Sequence, residues 1–289
     1  MKTIYFLVIL ALLTTACKHD VDLLKAPDPI SSLPGSGTAT QPNSSTTTQP
    51  GSGTTTDGSV GVFRTFRIAY AANDYQEVQY DAANQVIYYR NQATTVLGGN
   101  GMMQQREYQF LYQPNGQLKR VDLRGAGYFL YQYSPTNQVN RVEEYSAKGR
   151  LLFIRTYQYS AIGQLVQLDA QSMTDSYVGR KTYQYDQSGN LTTCTDWVKI
   201  PGTDDYRIET VTTYADFDRG KHVENLFAAF PFLPNVTFYA NNYRTRIVRY
   251  RDGNEIGRET YVYMYDAEGK PKQRTTYYSG GSLSATYSY

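Results

Sequence analysis

The sequence predicts an all-β fold, an antiparallel meander of repeated hairpins arranged as an open, curved sheet or a sandwich, with one short helix near residues 222–230. Three observations support this prediction. A seven-residue turn phrase recurs along the chain, its flanks alternate in polarity as strands do, and 28 of the 29 tyrosines lie in residues 61–289. Tyrosine suits a pleated, half-buried surface, where aromatic cross-strand pairs add about 0.2–1 kcal/mol each.

The turn phrase consists of an aromatic residue, usually Asp or Ser, two variable residues, Gly or Asn, a polar residue and usually an aliphatic one. The Asp or Ser can accept a backbone N–H, and the Gly or Asn can adopt the left-handed conformation that closes a turn. We therefore expect one hairpin turn per phrase, in a continuous meander, since a single hairpin is not stable alone. Full copies occupy residues 80–86, 112–118, 133–139, 159–165, 185–191 and 265–271, and shorter relatives lie at 145–151 and 250–254.

One segment breaks the strand pattern. Val223, Leu226, Phe227 and Phe230 fall at i, i+3, i+4 and i+7, the spacing of an apolar helical stripe, and Pro231 follows. We expect a short helix that caps a face or an edge of the sheet and so limits edge-to-edge aggregation.

The N-terminus has the features of a secretion signal. Lys2 supplies a positive charge, and residues 4–13 form an unbroken apolar run. At 1.5 Å per residue the run covers about 15 Å, about half of a bilayer core, which is typical of a signal peptide and too short for a spanning helix. Residues 13–17 (LTTAC) resemble the looser lipobox of Bacteroidota. That resemblance implies that Cys17 is lipidated and that this lipid attaches the protein to the outer membrane.

Two further segments follow the cysteine. Residues 18–22 (KHDVD) partly resemble the export signal of Bacteroidota surface lipoproteins, which favours display on the cell surface and leaves a periplasm-facing position open. Residues 27–60 are mostly Ser, Thr, Gly, Gln and Pro. Such a segment has too few apolar groups to offset the entropy lost on ordering, so we expect it to be disordered. As a flexible coil this tether would span about 30 Å on average and about 110 Å when fully extended.

Residues 183–191 (YQYDQSGNL) resemble the YD repeat of Rhs proteins and teneurins, which wind very many repeats into a closed shell. Too few copies are present here to enclose a cargo, so the resemblance implies the hairpin architecture alone. The whole mature chain resembles Bacteroidota lipoproteins with a short YD-repeat-like β-domain. The predicted organisation is a signal peptide (1–16), a lipidated N-terminus (17–26), a disordered tether (27–60) and a YD-repeat-like β-domain (61–289).

A short segment holds the best metal-ligand candidates, Asp216, Asp218, His222 and Glu224. Asp is also an ordinary turn and cap residue, so we expect no metal and no cofactor. Calcium needs six to eight oxygens from a dense acidic loop, whereas Asp81, Asp186 and Asp266 lie in three different turn phrases, one Asp to a turn.

The sequence contains no recognisable set of catalytic residues. His222 is the only histidine of residues 61–289 and lies in no Ser or Cys nucleophile context. Cys194 has no disulfide partner once Cys17 is lipidated and is expected to act as a small buried hydrophobe. The net charge of +2 gives no basic field for nucleic acid.

We therefore predict a non-enzymatic envelope lipoprotein that binds or scaffolds through its Tyr-rich sheet, with a glycan, a peptide or an envelope protein as ligand. An exposed aromatic stripe would favour this function. The alternative is a hydrolase of extracellular polymers, favoured by a cleft with two carboxylates about 5–10 Å apart. Evenly polar sheet faces would instead favour a structural spacer.

Overall fold

The computed structural model describes residues 63–97 and 100–289. Over these residues sixteen antiparallel strands form one closed barrel, in which neighbours in the sequence are neighbours in the sheet. The strands are β1 (Arg64–Ala71), β2 (Asp74–Tyr80), β3 (Val86–Leu97), β4 (Asn100–Tyr112), β5 (Leu118–Leu123), β6 (Gly127–Tyr133), β7 (Val139–Ser146), β8 (Leu151–Tyr159), β9 (Leu165–Ser172), β10 (Val178–Tyr185), β11 (Leu191–Lys199), β12 (Tyr206–Ala215), β13 (Thr245–Tyr250), β14 (Glu255–Tyr265), β15 (Pro271–Tyr278) and β16 (Gly281–Ser288).

The barrel closes where the last strand pairs with the first. Ile68 on β1 lies opposite Tyr287 on β16 in an antiparallel register. The predicted open, curved sheet or sandwich is therefore wrong. An open meander leaves unpaired backbone N–H and C=O groups along its first and last strands. Closing the twisted sheet pairs these two strands with each other, so both sets of groups are hydrogen-bonded.

The turn phrases form hairpin turns, as predicted. In the fifth copy Asp186 N–H donates to the Asn190 carbonyl at 2.9 Å, Gly189 N–H donates to the Asp186 carbonyl at 3.1 Å, and the Asp186 carboxylate accepts the Asn190 N–H at 2.9 Å. Gly189 has a φ of +85°, in the left-handed region. The full copies all lie at one end of the barrel, the repeat end, and the two shorter relatives lie at the opposite end, the far end.

Side chains along each strand alternate between the barrel interior and its outer face. Inward positions carry the buried apolar residues, among them Val78, Val121 and Val142, which are fully buried. Five tyrosines of the full turn phrases also pack against this core, namely Tyr80, Tyr112, Tyr133, Tyr159 and Tyr185. The repeat therefore supplies both the turns and part of the filling of the barrel.

Residues 216–244 connect β12 to β13 at the repeat end and fold into the interior, so we call them the plug. The predicted helix is wrong: the plug has a single 3₁₀ turn, Asn225–Ala228, and otherwise irregular backbone. The Asn225 side chain accepts the backbone N–H groups of Phe238 and Tyr239 at 2.9 and 3.0 Å. These bonds to a distant segment of the plug compete with helix formation.

Aromatic rings attach the plug to the barrel wall. Phe232 packs edge-on against Tyr108, with ring centroids 5.0 Å apart, and Phe230 packs edge-on against Phe129 at 5.3 Å. The apolar stripe that suggested a helix thus faces the interior of the barrel. It caps no sheet edge, because the closed sheet has none.

Candidate functional site

A polar cavity of about 160 Å³ lies inside the barrel between the plug and the wall. Tyr70 and Gln76, which line it, flank the β1–β2 hairpin at the far end. Since the plug fills the repeat end, the cavity extends toward the far end. The other polar residues around it are Lys181, Asp196, Thr212, His222, Glu224, Arg246, Glu259 and Arg274.

Strand register sets two ion pairs in the cavity wall. Lys181 lies directly opposite Asp196 on β11, and the Lys181 Nζ is 2.7 Å from the Asp196 Oδ1. Arg246 lies directly opposite Glu259 on β14, with 3.2 Å between Nη1 and Oε2. Each buried charge therefore has an opposite charge on the neighbouring strand, which buried ions require.

A third pair joins the plug to the wall. Arg274 on β15 donates through Nη1 to both oxygens of Glu224 at 2.7 Å and through Nη2 to the Tyr70 hydroxyl at 3.0 Å. The Tyr287 hydroxyl donates to the same carboxylate. Burial raises the pKa of Glu224, but Arg274, His222 and the Tyr287 hydrogen bond together outweigh burial and lower it below its usual range. Glu224 is therefore an ionised carboxylate that holds the plug in place.

The four metal-ligand candidates have separate partners. The His222 Nδ1 lies 3.0 Å from the Asn242 Oδ1, and burial lowers the pKa of His222. Asp218 accepts from the Tyr265 hydroxyl, and Asp216 from Thr245. Within residues 63–97 and 100–289, no three His, Cys, Asp or Glu side chains are placed to share a metal ion.

The remaining candidates have local roles. Asp81, Asp186 and Asp266 each accept a backbone N–H within their own turn. Cys194 is half-buried and lines the cavity. Cys17 lies outside the described residues.

Tyrosines supply much of the cavity wall. Burial raises the pKa of Tyr239, Tyr243 and Tyr261 well above the usual value, so their hydroxyls stay protonated. The Tyr243 and Tyr261 rings lie edge to face with centroids 5.0 Å apart, and the Tyr239 ring is tilted against Tyr243 at 4.9 Å. Because five of the six full copies place their tyrosine against the core, these tyrosines do not form the exposed aromatic stripe that would have favoured binding on the outer face.

Of the charged cavity residues, only Glu224 was singled out from the sequence, as a metal-ligand candidate. The others were not recognised, namely Lys181, Asp196, Arg246, Glu259 and Arg274. A signal for them exists in the strand period: counting back in twos from the inward Tyr185 gives Tyr183 and then Lys181, which is therefore inward as well. Their partners are set by register between strands, which local patterns do not reveal.

The outer face of the barrel is polar and carries a series of charge pairs. Arg141 pairs with Glu143 at 2.8 Å, and Arg180 with Asp169 at 2.6 Å. Some outward tyrosines are covered by arginine, as where the Arg120 guanidinium lies 3.9 Å from the centroid of the Tyr128 ring. No helix in the described part of the chain is long and apolar enough to cross a membrane.

Comparison with known proteins gives a match at the level of the fold. No family model matches the chain, and no curated protein matches it. A porin-like protein from Bacteroides uniformis aligns over 78% of this chain and 96% of its own, at 11% identity and a TM-score of 0.54. A porin-like protein from Bacteroides vulgatus aligns over 78% and 97%, at 14% identity and a TM-score of 0.50.

A TcdB2–TccC3–Cdc42 complex also aligns, over 74% of this chain and 12% of its own, but its TM-score of 0.22 is too low to carry an argument. The two porin-like structures support the closed barrel. The resemblance to YD-repeat proteins stays a prediction from the sequence.

Proposed function

We propose that the chain is a lipid-anchored, non-enzymatic binding protein whose barrel stands in water at the outer membrane, with the interior cavity as its binding site. Cys17 carries the lipid, and residues 27–60 connect the anchor to the barrel. The observation that carries the proposal is the distribution of polarity: the outer face carries charge pairs as well, and the apolar residues of the described barrel form its interior core around the polar cavity.

The outer face is unsuited to lipid. An Arg or Lys at the midplane of a membrane barrel costs about 2–4 kcal/mol, and lipid-facing positions are accordingly apolar. Here Arg120, Arg141 and Arg180 project outward from three different strands, each beside an acidic partner. This surface supports a barrel that needs a separate anchor, which the lipobox-like segment at Cys17 would supply.

The cavity chemistry favours binding over hydrolysis. Glycoside hydrolysis needs one carboxylic acid with a raised pKa beside an ionised carboxylate. The pKa of Glu224 is instead lowered, and Asp196 and Glu259 each have a cation within 3.2 Å. Glu224 therefore accepts hydrogen bonds and is not the proton donor that hydrolysis needs.

The position relative to the membrane is tested with Cys17→Ala and with a chain whose residues 1–17 are replaced by a leader for the general signal peptidase. We expect the first variant to lose labelling by a lipid analogue and the second to be a folded protein that stays soluble without detergent. Membrane association of the leader-swapped chain after a carbonate wash would refute the water-facing barrel.

We further place the barrel on the cell surface, following the charged segment after Cys17. Protease added to intact cells should then cleave the tether and release the barrel. Protection in intact cells, with cleavage after the outer membrane is permeabilised, would assign the barrel to the periplasm.

A further inference from the structure

The cavity carries charge on its wall but has no net charge. Lys181, Arg246 and Arg274 are matched by Asp196, Glu259 and Glu224 in three ion pairs. An anionic or cationic ligand would have to displace one partner of a buried pair, which leaves the other partner without compensation. A neutral molecule with both donors and acceptors can bind without breaking any of the three pairs.

One donor at this site has no partner. Arg274 is 4% exposed, lines the cavity, and uses both terminal nitrogens for Glu224 and Tyr70. Its Nε has no hydrogen-bond partner among the described residues. Buried donors are nearly always satisfied, so an acceptor from a bound molecule or from water is expected there.

Flat apolar surface lies beside these polar groups. Tyr183, Tyr214 and Tyr261 line the cavity together with Phe227 and Phe238. An aromatic ring offers a rigid apolar face and, in tyrosine, a hydroxyl at its edge. Such faces suit a ligand with both C–H surface and hydroxyl groups.

The size of the cavity limits the ligand. At about 10–15 Å³ of accessible volume per water, a cavity of 160 Å³ holds on the order of ten water molecules. This corresponds to about one monosaccharide and excludes a folded partner or an extended polymer.

We propose that this cavity binds a small, neutral, polyhydroxylated molecule of the size of one monosaccharide. The inference rests on the proposed binding function and specifies its ligand class. Hydroxyl groups would donate to Asp196 and Glu259, accept from the Arg274 Nε, and leave the C–H face of the ring against the tyrosines.

The test is calorimetric titration of the leader-swapped mature chain with D-glucose, D-galactose, D-mannose and N-acetyl-D-glucosamine. D-glucuronate and L-alanine serve as the charged and zwitterionic comparisons. We expect at least one neutral sugar to bind with a dissociation constant below about 1 mM, and the two comparisons to bind more weakly.

Two variants locate the site. Thr212→Val removes a buried hydroxyl from the cavity wall, and Gln76→Ala removes an amide near the far end. Each should weaken sugar binding about fivefold or more while the melting temperature stays close to that of the parent. Thr213→Val, on the opposite face of the same strand, is the matched control and should bind like the parent.

Three outcomes would overturn the inference: no neutral sugar binds, Thr212→Val and Gln76→Ala bind as the parent does, or D-glucuronate or L-alanine binds more tightly at the same residues. In the last case the ligand class is wrong, while the cavity remains a binding site. Membrane attachment through Cys17 is measured separately, so its failure is distinguishable from each of these.

Discussion

The hydroxyl of Tyr159 donates a hydrogen bond to the carbonyl oxygen of Val139, 2.9 Å away. Tyr159 begins one copy of the turn phrase and Val139 ends the preceding copy, so the bond joins β7 to β8 at the repeat end. The same bond recurs between Tyr112 and Val86 and between Tyr185 and Leu165. Along this part of the repeat end, neighbouring strands are thus joined alternately by a turn and by a tyrosine.

Loss of one such hydroxyl should destabilise the barrel. Tyr159→Phe removes the donor and leaves a carbonyl at the core without its partner, so we expect the free energy of unfolding to fall by about 1 kcal/mol in urea titration. Tyr277→Phe is the control, because Tyr277 is 49% exposed on the outer face, and it should change stability by less than about 0.5 kcal/mol. Equal effects of the two substitutions would contradict a structural role for the tyrosine bonds.

Two glycine substitutions separate backbone conformation from packing. Gly269 has a φ of +75°, Gly257 does not lie in the left-handed region, and an added Cβ would meet nothing within 4 Å at either position. Gly269→Ala should therefore cost about 1–2 kcal/mol in the free energy of unfolding, from the left-handed conformation alone. Gly257→Ala should be neutral or stabilise by about 0.4–1 kcal/mol. A similar cost at both positions would refute this explanation of the turn.

Asn190 connects the repeat to the plug, since its Oδ1 accepts the backbone N–H groups of Ala240 and Asn241 at 3.0 and 2.8 Å. Asn190→Ala leaves both donors unsatisfied, and we expect a loss of about 2–4 kcal/mol. Trypsin should also cleave faster at the exposed Arg219 and Lys221 of the plug.

Asn140→Ala serves as the control for this substitution, because Asn140 is exposed on β7. It should leave both the unfolding free energy and the cleavage rate near those of the parent. Unchanged cleavage of the plug in Asn190→Ala would show that Asn190 does not hold it.

Acid should weaken the barrel through His222. Burial lowers the pKa of His222 despite Glu224 and Asp218 nearby, so the folded protein keeps the ring neutral where the unfolded chain is protonated. Its contribution is complete above about pH 6.5 and falls as the pH drops from there toward the folded pKa. The lowered pKa of Glu224 adds a second loss, which begins as the pH falls through the usual carboxyl pKa and continues down to the folded pKa.

We expect the urea midpoint to be lower at pH 5.5 than at pH 7.5, and this difference to shrink in His222→Gln. The variant loses some stability at both pH values, because it changes a buried contact with Asn242. An undiminished pH difference in His222→Gln would assign the effect to other groups.

The turns were predictable because their determinants are local. Asp186 and Gly189 lie within one turn, and their hydrogen-bonding and conformational preferences are intrinsic to those residue types. Barrel closure was not predictable in this way. The pairing of Ile68 with Tyr287 depends on the register between β1 and β16, which the local sequence around neither residue determines.

The plug and the cavity were missed for related reasons. The spacing of Val223, Phe227 and Phe230 is helical, but the barrel interior offers aromatic partners to an irregular chain as well as to a helix. Lys181 and Asp196 become a pair only when β10 and β11 are aligned. The alternation along a strand indicates which residues face inward, but it does not indicate which of them come into contact across neighbouring strands.

The pairing of β1 with β16 also bears on how the protein is made. A chain that emerges N-terminus first presents β1 long before its partner exists, since the hydrogen bond from Thr286 to Ala69 spans 217 residues. Contacts of this range slow folding, and an unpaired strand invites aggregation in the meantime. Pairing of the eight-residue strand β16 with β1 therefore completes the assembly of the barrel. A chain truncated before Gly281 would expose two strand edges to chaperones and proteases.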